Sequence, residues 1–133
     1  MKLVRFGPAG KEKPGLIDAD GKLRDLSRKV KDIGPDTLAP AKLKELSRLD
    51  PKKLPLVKGR PRYGACVTGV GKFLAIGLNY VDHAKETGNP IPPVPILFSK
   101  FANALAGHGA KIKLLPHDLA YQFDYEVELV IVI

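Results

Sequence analysis

Two glutamates, Glu126 and Glu128, stand two positions apart in the last ten residues of the chain. Residues 124–133 are otherwise an apolar run that predicts a β-strand, in which alternate side chains share a face. The two carboxylates would then lie roughly 7 Å apart along one face. Charges on an apolar strand are costly when uncompensated, and paired carboxylates suit Mg²⁺ or Mn²⁺. A solvated face with cross-strand Lys or Arg partners fits the same spacing.

His83 and Glu86 form a second candidate pair, three positions apart in a predicted helix. Residues at this spacing share a helix face about 5–6 Å apart. A carboxylate beside an imidazole orients the ring and raises its basicity, so the pair could take a proton from water. An ordinary surface helix can carry the same spacing. The position directly after a predicted buried strand favours the catalytic interpretation.

Three further polar residues stand near predicted strands or in loops. Lys100 ends a predicted strand, where it either faces a substrate carboxylate or is a simple strand-end charge. His108 and His117 lie in predicted loops, and neither has a partner at the spacing of a zinc site. We expect surface roles for both histidines.

The first part of the chain predicts a small unit of strands and one helix without a catalytic cluster. Asp20-Gly21 is a strong hairpin signal, and three leucines at three-residue spacing indicate an amphipathic helix closed by Pro51. The predicted strands are Lys2–Phe6, Pro14–Ile17, Lys22–Leu26 and Leu54–Val57, and the predicted helix is Pro40–Leu49.

The second part predicts the elements that must position the candidate residues. The predicted helix Tyr80–Thr87 is ended by Gly88, and the proline-rich loop Asn89–Pro95 follows it. The predicted strands are Lys72–Gly77, Pro95–Lys100, Lys111–Leu115 and Asp124–Ile133. Residues 130–133 are apolar on both faces, as in a central strand covered by other elements. We therefore expect residues 1–133 to be the N-terminal part of a larger fold, or their partner strands to come from elsewhere.

Composition narrows the class of protein. The chain has 133 residues and is 44% hydrophobic, and no apolar run approaches the roughly 18 residues of a membrane span. A single cysteine and a start without a signal-peptide pattern predict a cytoplasmic protein with no membrane partner. The net charge of +8 is concentrated in residues 42–62. That stretch has no interleaved aromatics or recognition helix, so we expect a solvated surface and no nucleic-acid partner.

Three segments of the second part together resemble the fumarylacetoacetate hydrolase family. They are residues 75–88 (AIGLNYVDHAKETG), 95–100 (PILFSK) and 124–129 (DYEVEL), which match in order and spacing. The opening strands also look like the small N-terminal domain of bacterial members. The similarity covers essentially the whole chain, and is greatest to 2,4-diketo-3-deoxy-sugar-acid hydrolases and ureidoglycolate lyases.

This resemblance implies an α+β fold. Residues 1–65 would be a small N-terminal α/β domain, and residues 66–133 the first part of a mixed β-roll catalytic domain that is truncated here. It also implies a homodimer that binds Mg²⁺ or Mn²⁺ through Glu126, Glu128 and a third aspartate beyond residue 133. His83 and Glu86 would activate water, and Lys100 and Tyr80 would bind substrate.

The implied reaction of the complete protein is hydrolysis of a C–C bond in a small β-diketo (acylpyruvate-type) or 2-oxo acid. The same scaffold also suits 2-oxo-acid decarboxylation or tautomerisation, or a ureidoglycolate lyase step. An inactive truncated paralogue is a further alternative. Because two carboxylates hold a cation weakly, we expect residues 1–133 alone to be inactive.

Overall fold

A three-stranded antiparallel sheet forms the start of the chain in the computed structural model, which describes residues 1–133. Its strands, in spatial order, are β1 (Lys2–Phe6), β2 (Lys13–Ile17) and β3 (Leu23–Asp25). The Asp18 carboxylate fixes the β2–β3 turn by accepting the backbone N–H groups of Asp20 and Lys22 at 3.0 and 2.8 Å. The predicted first strand and the predicted hairpin are confirmed.

Two short helices follow this sheet. They are α1 (Pro35–Leu38), which the sequence pattern did not predict, and α2 (Pro40–Leu46), which ends three residues earlier than predicted. Each begins at a proline, whose fixed φ suits the first helical position. Leu46 is buried, so the leucine spacing does mark the inward face. A 3₁₀ turn, Pro51–Lys53, comes next.

The core lies between the sheet and these helices. Leu26 and Ile33 are each only 1% exposed, and both belong to a cluster of six buried aliphatic residues. Val67 also packs against this cluster, and the Thr68 N–H donates to the Ile33 carbonyl at 2.9 Å. The predicted boundary between residues 65 and 66 stays a prediction. The core residues are Leu16, Leu26, Val30, Ile33, Leu46 and Leu54.

Arg5 joins the sheet to two segments outside it. Its Nε and Nη2 donate to the two Asp32 carboxylate oxygens at 2.7 and 3.0 Å, and its Nη1 donates to the Ala65 carbonyl at 3.3 Å. The Glu12 carboxylate lies 3.7 Å from the same guanidinium. The hydrogen bond from Arg5 holds the pKa of Asp32 below its usual value, against a smaller opposing effect of burial.

The second part of the chain contains a two-stranded antiparallel sheet and one helix. β4 (Phe73–Gly77) pairs with β5 (Ile96–Lys100), and α3 (Val81–Glu86) lies between them in the chain. The two predicted strands and the predicted helix are confirmed within one or two residues. Beyond β5 the only regular element is a 3₁₀ turn, Ala102–Ala104. None of the helices has the length and apolarity of a bilayer crossing.

Three predicted strands are absent from the structure. Leu54–Val57 forms only a single bridge, between Leu56 and Arg24, and neither Lys111–Leu115 nor Asp124–Ile133 forms any ladder. A strand needs a neighbour that accepts and donates its backbone hydrogen bonds, and no element of this chain pairs with those two segments. Residues 130–133 are exposed in this chain, and the expectation of a central strand covered by partner strands from elsewhere stays a prediction. The mixed architecture agrees with the α+β class.

Replacing Leu26 by Ala should lower the free energy of unfolding by about 2–5 kcal/mol, because the cavity left in the core cannot fully collapse. Urea denaturation followed by circular dichroism measures this loss. Val94, which is 67% exposed, provides the control: its replacement by Ala should change stability by no more than about 0.5 kcal/mol. Equal losses in the two variants would show that the cluster around Leu26 is not the core.

Asp32→Asn should destabilise the protein at pH 7 and have less effect in acid. The folded-state pKa of Asp32 is lowered, so its carboxylate stabilises the fold above the unfolded-state pKa of about 3.9 and loses that effect as pH falls further. Denaturation of wild type and variant at several pH values measures the difference. Asp20→Asn, in the exposed β2–β3 turn, removes the same charge where no arginine pairs with it, and it should show no comparable loss of stability at pH 7. A constant gap between Asp32→Asn and wild type would contradict the prediction.

Candidate active site

The helix that carries the candidate dyad is defined at both ends by local backbone geometry. Tyr80 precedes it in an extended conformation, with φ −113° and ψ 130°. At the other end Gly88 adopts φ 67°, and the Asn89 N–H reaches back to the Ala84 carbonyl at 2.9 Å. The Thr87 hydroxyl donates to the His83 carbonyl at 2.8 Å. These bonds satisfy carbonyls of the last turn, so α3 stops where the sequence predicts.

His83 and Glu86 both lie on the exposed side of α3. Ala84 is the one residue of this helix that is buried, at 2% exposure. No hydrogen bond joins the His83 and Glu86 side chains. The arrangement leaves the imidazole and the carboxylate open to a ligand from solvent.

Glu126 and Glu128 lie in the extended residues 124–133, which pair with no strand. Both glutamates are exposed. No three or more His, Cys, Asp and Glu side chains come together as a cation site. Carboxylate oxygens are the donors that Mg²⁺ and Mn²⁺ prefer, so the chemistry of the pair fits such an ion. Two carboxylates are part of a ligand set and leave most positions of an octahedral ion to other ligands.

The two predicted substrate residues lie at different places on the β4–β5 sheet. Tyr80, 47% exposed, follows the end of β4 and leads into α3. Lys100 is the last residue of β5 and pairs in register with Phe73, whereas Gly77 pairs with Ile96. The two ends are four residue steps apart, so Lys100 lies about 13 Å along the sheet from the start of the connection to α3.

Leu78 has a backbone conformation that the sequence did not reveal. Its φ is 49°, and it is the one non-glycine residue of the chain with a positive φ. The left-handed region costs a β-carbon-bearing residue about 1–2 kcal/mol. Leucine carries no sequence signal for this conformation, in contrast to glycine or asparagine. The turn at Leu78 sets the direction in which the chain leaves β4 and enters α3.

One family model matches the second part of the chain. Residues 72–133 match the family model described as the C-terminal part of fumarylacetoacetate (FAA) hydrolase. The matched segment contains β4, α3, β5 and both candidate residue pairs. The comparisons support the fumarylacetoacetate hydrolase family. The three-stranded sheet and its core lie before the segment that matches this family.

Relatives from three Burkholderia species align with the whole chain, and each is named "Putative hydrolase". The identity over 133 residues is 50% for the protein of B. ambifaria strain MC40-6, 51% for that of B. multivorans and 49% for that of B. cenocepacia strain J2315. The alignment covers 100% of this chain and 46% of each relative. The chain therefore spans about half the length of the curated relatives it matches.

Gly88→Ala should loosen the end of α3. The φ of 67° is strained for alanine, although an added Cβ would meet no atom within 4 Å. A cost of about 1 kcal/mol should speed amide exchange at Asn89 roughly fivefold. Gly71→Ala is the matched control, since Gly71 is equally open and has no positive φ. Unchanged exchange at Asn89 in Gly88→Ala would contradict the prediction.

Proposed function

We propose that the complete protein is a fumarylacetoacetate hydrolase family enzyme that hydrolyses a C–C bond in a β-diketo acid of the acylpyruvate type. The observation that carries this proposal is the family match over residues 72–133, which includes His83, Glu86, Glu126 and Glu128 in one segment. The names of the relatives support hydrolysis as the reaction class. More specifically, we propose that within this family the protein is most similar to 2,4-diketo-3-deoxy-sugar-acid hydrolases or ureidoglycolate lyases.

Glu126 and Glu128 would hold a Mg²⁺ or Mn²⁺ ion, together with a third ligand, an aspartate of the complete protein beyond residue 133. Their oxygen donors fit a hard cation, and their exposure leaves both side chains free to turn toward one. When bound, such an ion would polarise the substrate carbonyl and stabilise negative charge on oxygen.

His83 would act as the general base, and Glu86 would stabilise the imidazolium that results. The imidazole takes one proton from a water molecule as the water oxygen bonds to the carbonyl carbon. The C–C bond then breaks as the carbonyl re-forms as a carboxylic acid, and its electron pair leaves with the released carbon. The His83 imidazolium returns its proton to that carbon. Lys100 and Tyr80 would bind the acid's carboxylate. Lys100 ends β5 at the end of the sheet opposite the connection to α3. Its role therefore requires either a substrate long enough to reach both ends of the sheet or a rearrangement that brings Lys100 closer to α3.

We further propose a cytoplasmic homodimer with no nucleic-acid or membrane partner. The single cysteine suits a reducing compartment, and the resemblance implies the dimer. These proposals are independent of the catalytic one.

His83→Ala in the full-length protein should lower kcat for acetylpyruvate by about 10²–10⁴-fold, because the general base is lost. Mn²⁺ affinity, measured by calorimetry, should stay unchanged. Lys85→Ala, on the same exposed helix, is the control and should keep wild-type activity. Glu126→Gln should instead weaken Mn²⁺ binding.

Each contrary outcome identifies a specific alternative. Hydrolysis that survives in His83→Ala would exclude the dyad as the group that activates water. Turnover of a 2-oxo acid without hydrolysis of acetylpyruvate would favour decarboxylation or tautomerisation. A lyase step would appear as turnover of ureidoglycolate with none of acetylpyruvate. No turnover of any of these acids, with no Mn²⁺ binding, would indicate an inactive paralogue.

A further inference from the structure

A basic cleft lies in the first part of the chain, away from the residues of the proposed active site. Its volume is about 590 Å³, and it opens between the start of β3 and the segment 56–63. Two backbone contacts fix its walls: the Val57 N–H donates to the Leu23 carbonyl at 2.9 Å, and Tyr63 forms a bridge with Phe6. The cleft is therefore held by the folded sheet and does not depend on side-chain placement alone.

Three cations line this cleft, and no carboxylate does. They are Lys22, Lys58 and Arg60, and none of them takes part in an ion pair. Two acids of this part of the chain are engaged elsewhere, since Asp18 pairs with Arg24 at 2.8 Å and Glu12 with Arg62 at 2.6 Å. Asp20 is exposed in the β2–β3 turn and does not line the cleft. Like charges that share a cleft repel each other, and an anion between them would relieve that repulsion.

The loop that carries two of these cations also offers backbone donors. The N–H groups of Lys58, Gly59 and Arg60 donate to no backbone carbonyl. Gly59 adopts φ 78°, and a Cβ placed there would meet nothing within 4 Å, so the loop backbone is open to an approaching ligand. Successive free N–H groups in a turn with a left-handed residue are a known way to bind anions.

Apolar groups form the rest of the cleft wall. Leu56 is 47% exposed, and Tyr63 and Val57 are half-buried beside it. An inorganic ion would leave this apolar surface in water. A ligand with both an oxyanion and an apolar part would use the cations and the apolar wall together.

We propose that this cleft binds a small organic anion, a phosphate monoester or carboxylate attached to an apolar group. Lys22, Lys58, Arg60 and the loop N–H groups receive the oxyanion, and Leu56 and Tyr63 contact the apolar group. This binding site is separate from the proposed catalytic residues, and none of them contributes to it.

The test is a titration of the isotope-labelled chain with phenyl phosphate or benzoate, followed by NMR. The Lys58–Arg60 amide signals should shift and saturate, and whichever of the two probes binds more tightly identifies phosphate or carboxylate as the preferred oxyanion. The double variant Lys58→Gln, Arg60→Gln should bind about tenfold or more weakly, through the loss of charge-assisted hydrogen bonds. The matched control is Lys52→Gln, Lys53→Gln, which removes two exposed charges outside the cleft and should bind as wild type does.

Three results would overturn the proposal. One is the absence of saturable shifts with both probes in a chain whose spectrum is otherwise that of the folded protein. Another is equal weakening in the two double variants, which would mean a diffuse effect of surface charge. The third is binding of a single-stranded oligonucleotide that depends as much on Lys52 and Lys53 as on the cleft residues, which would indicate a polyanion surface instead.

Discussion

The bidentate ion pair between Arg5 and Asp32 is the interaction on which the folded first part of this chain most depends. One guanidinium binds both oxygens of a carboxylate 27 residues away and also donates to the Ala65 carbonyl, 60 residues away. Bidentate arginine pairs are stronger and more directional than single ion pairs. Through it the first strand, the segment before α1 and the connection to the second part are held together beside the aliphatic core. The walls of the basic cleft belong to this same unit.

The second part of the chain is organised differently. β4 and β5 pair only with each other, and large apolar side chains on both strands are exposed, including Leu74, Leu97 and Phe98. An isolated two-stranded sheet is marginally stable in water without a covering element. The candidate catalytic residues belong to this part, so their mutual positions depend on whatever covers the sheet.

The sequence predicts those features that local chemistry decides. Asp20-Gly21 marks the hairpin turn, the leucine spacing marks the inward face of α2, and Gly88 marks the end of α3, and all three predictions are confirmed. Predictions of strands that must pair with a segment distant in the chain were less accurate. The apolar alternation of residues 124–133 predicts a strand, but hydrogen-bonded pairing depends on a neighbour that the local pattern does not contain.

Two further features of the molecule could not be predicted from the sequence: the conformation of Leu78 and the grouping of cations in the basic cleft. The left-handed Leu78 has a residue type that gives no signal for its conformation. The charge of residues 42–62 is visible in the sequence, yet it does not reveal that Lys58 and Arg60 share a cleft with Lys22 while Arg62 pairs with Glu12. The roles of His83, Glu86, Glu126 and Glu128 stay predictions, and all four residues lie in the segment that matches the family model.

Crystals of the full-length protein grown with Mn²⁺, examined by anomalous diffraction, test the central proposal most directly. One strong manganese peak should lie within about 2.5 Å of carboxylate oxygens from both Glu126 and Glu128. His83 and Glu86 should face the open coordination positions of that ion. A manganese peak bound by neither glutamate, or one that His83 and Glu86 do not face, would contradict the proposed active site.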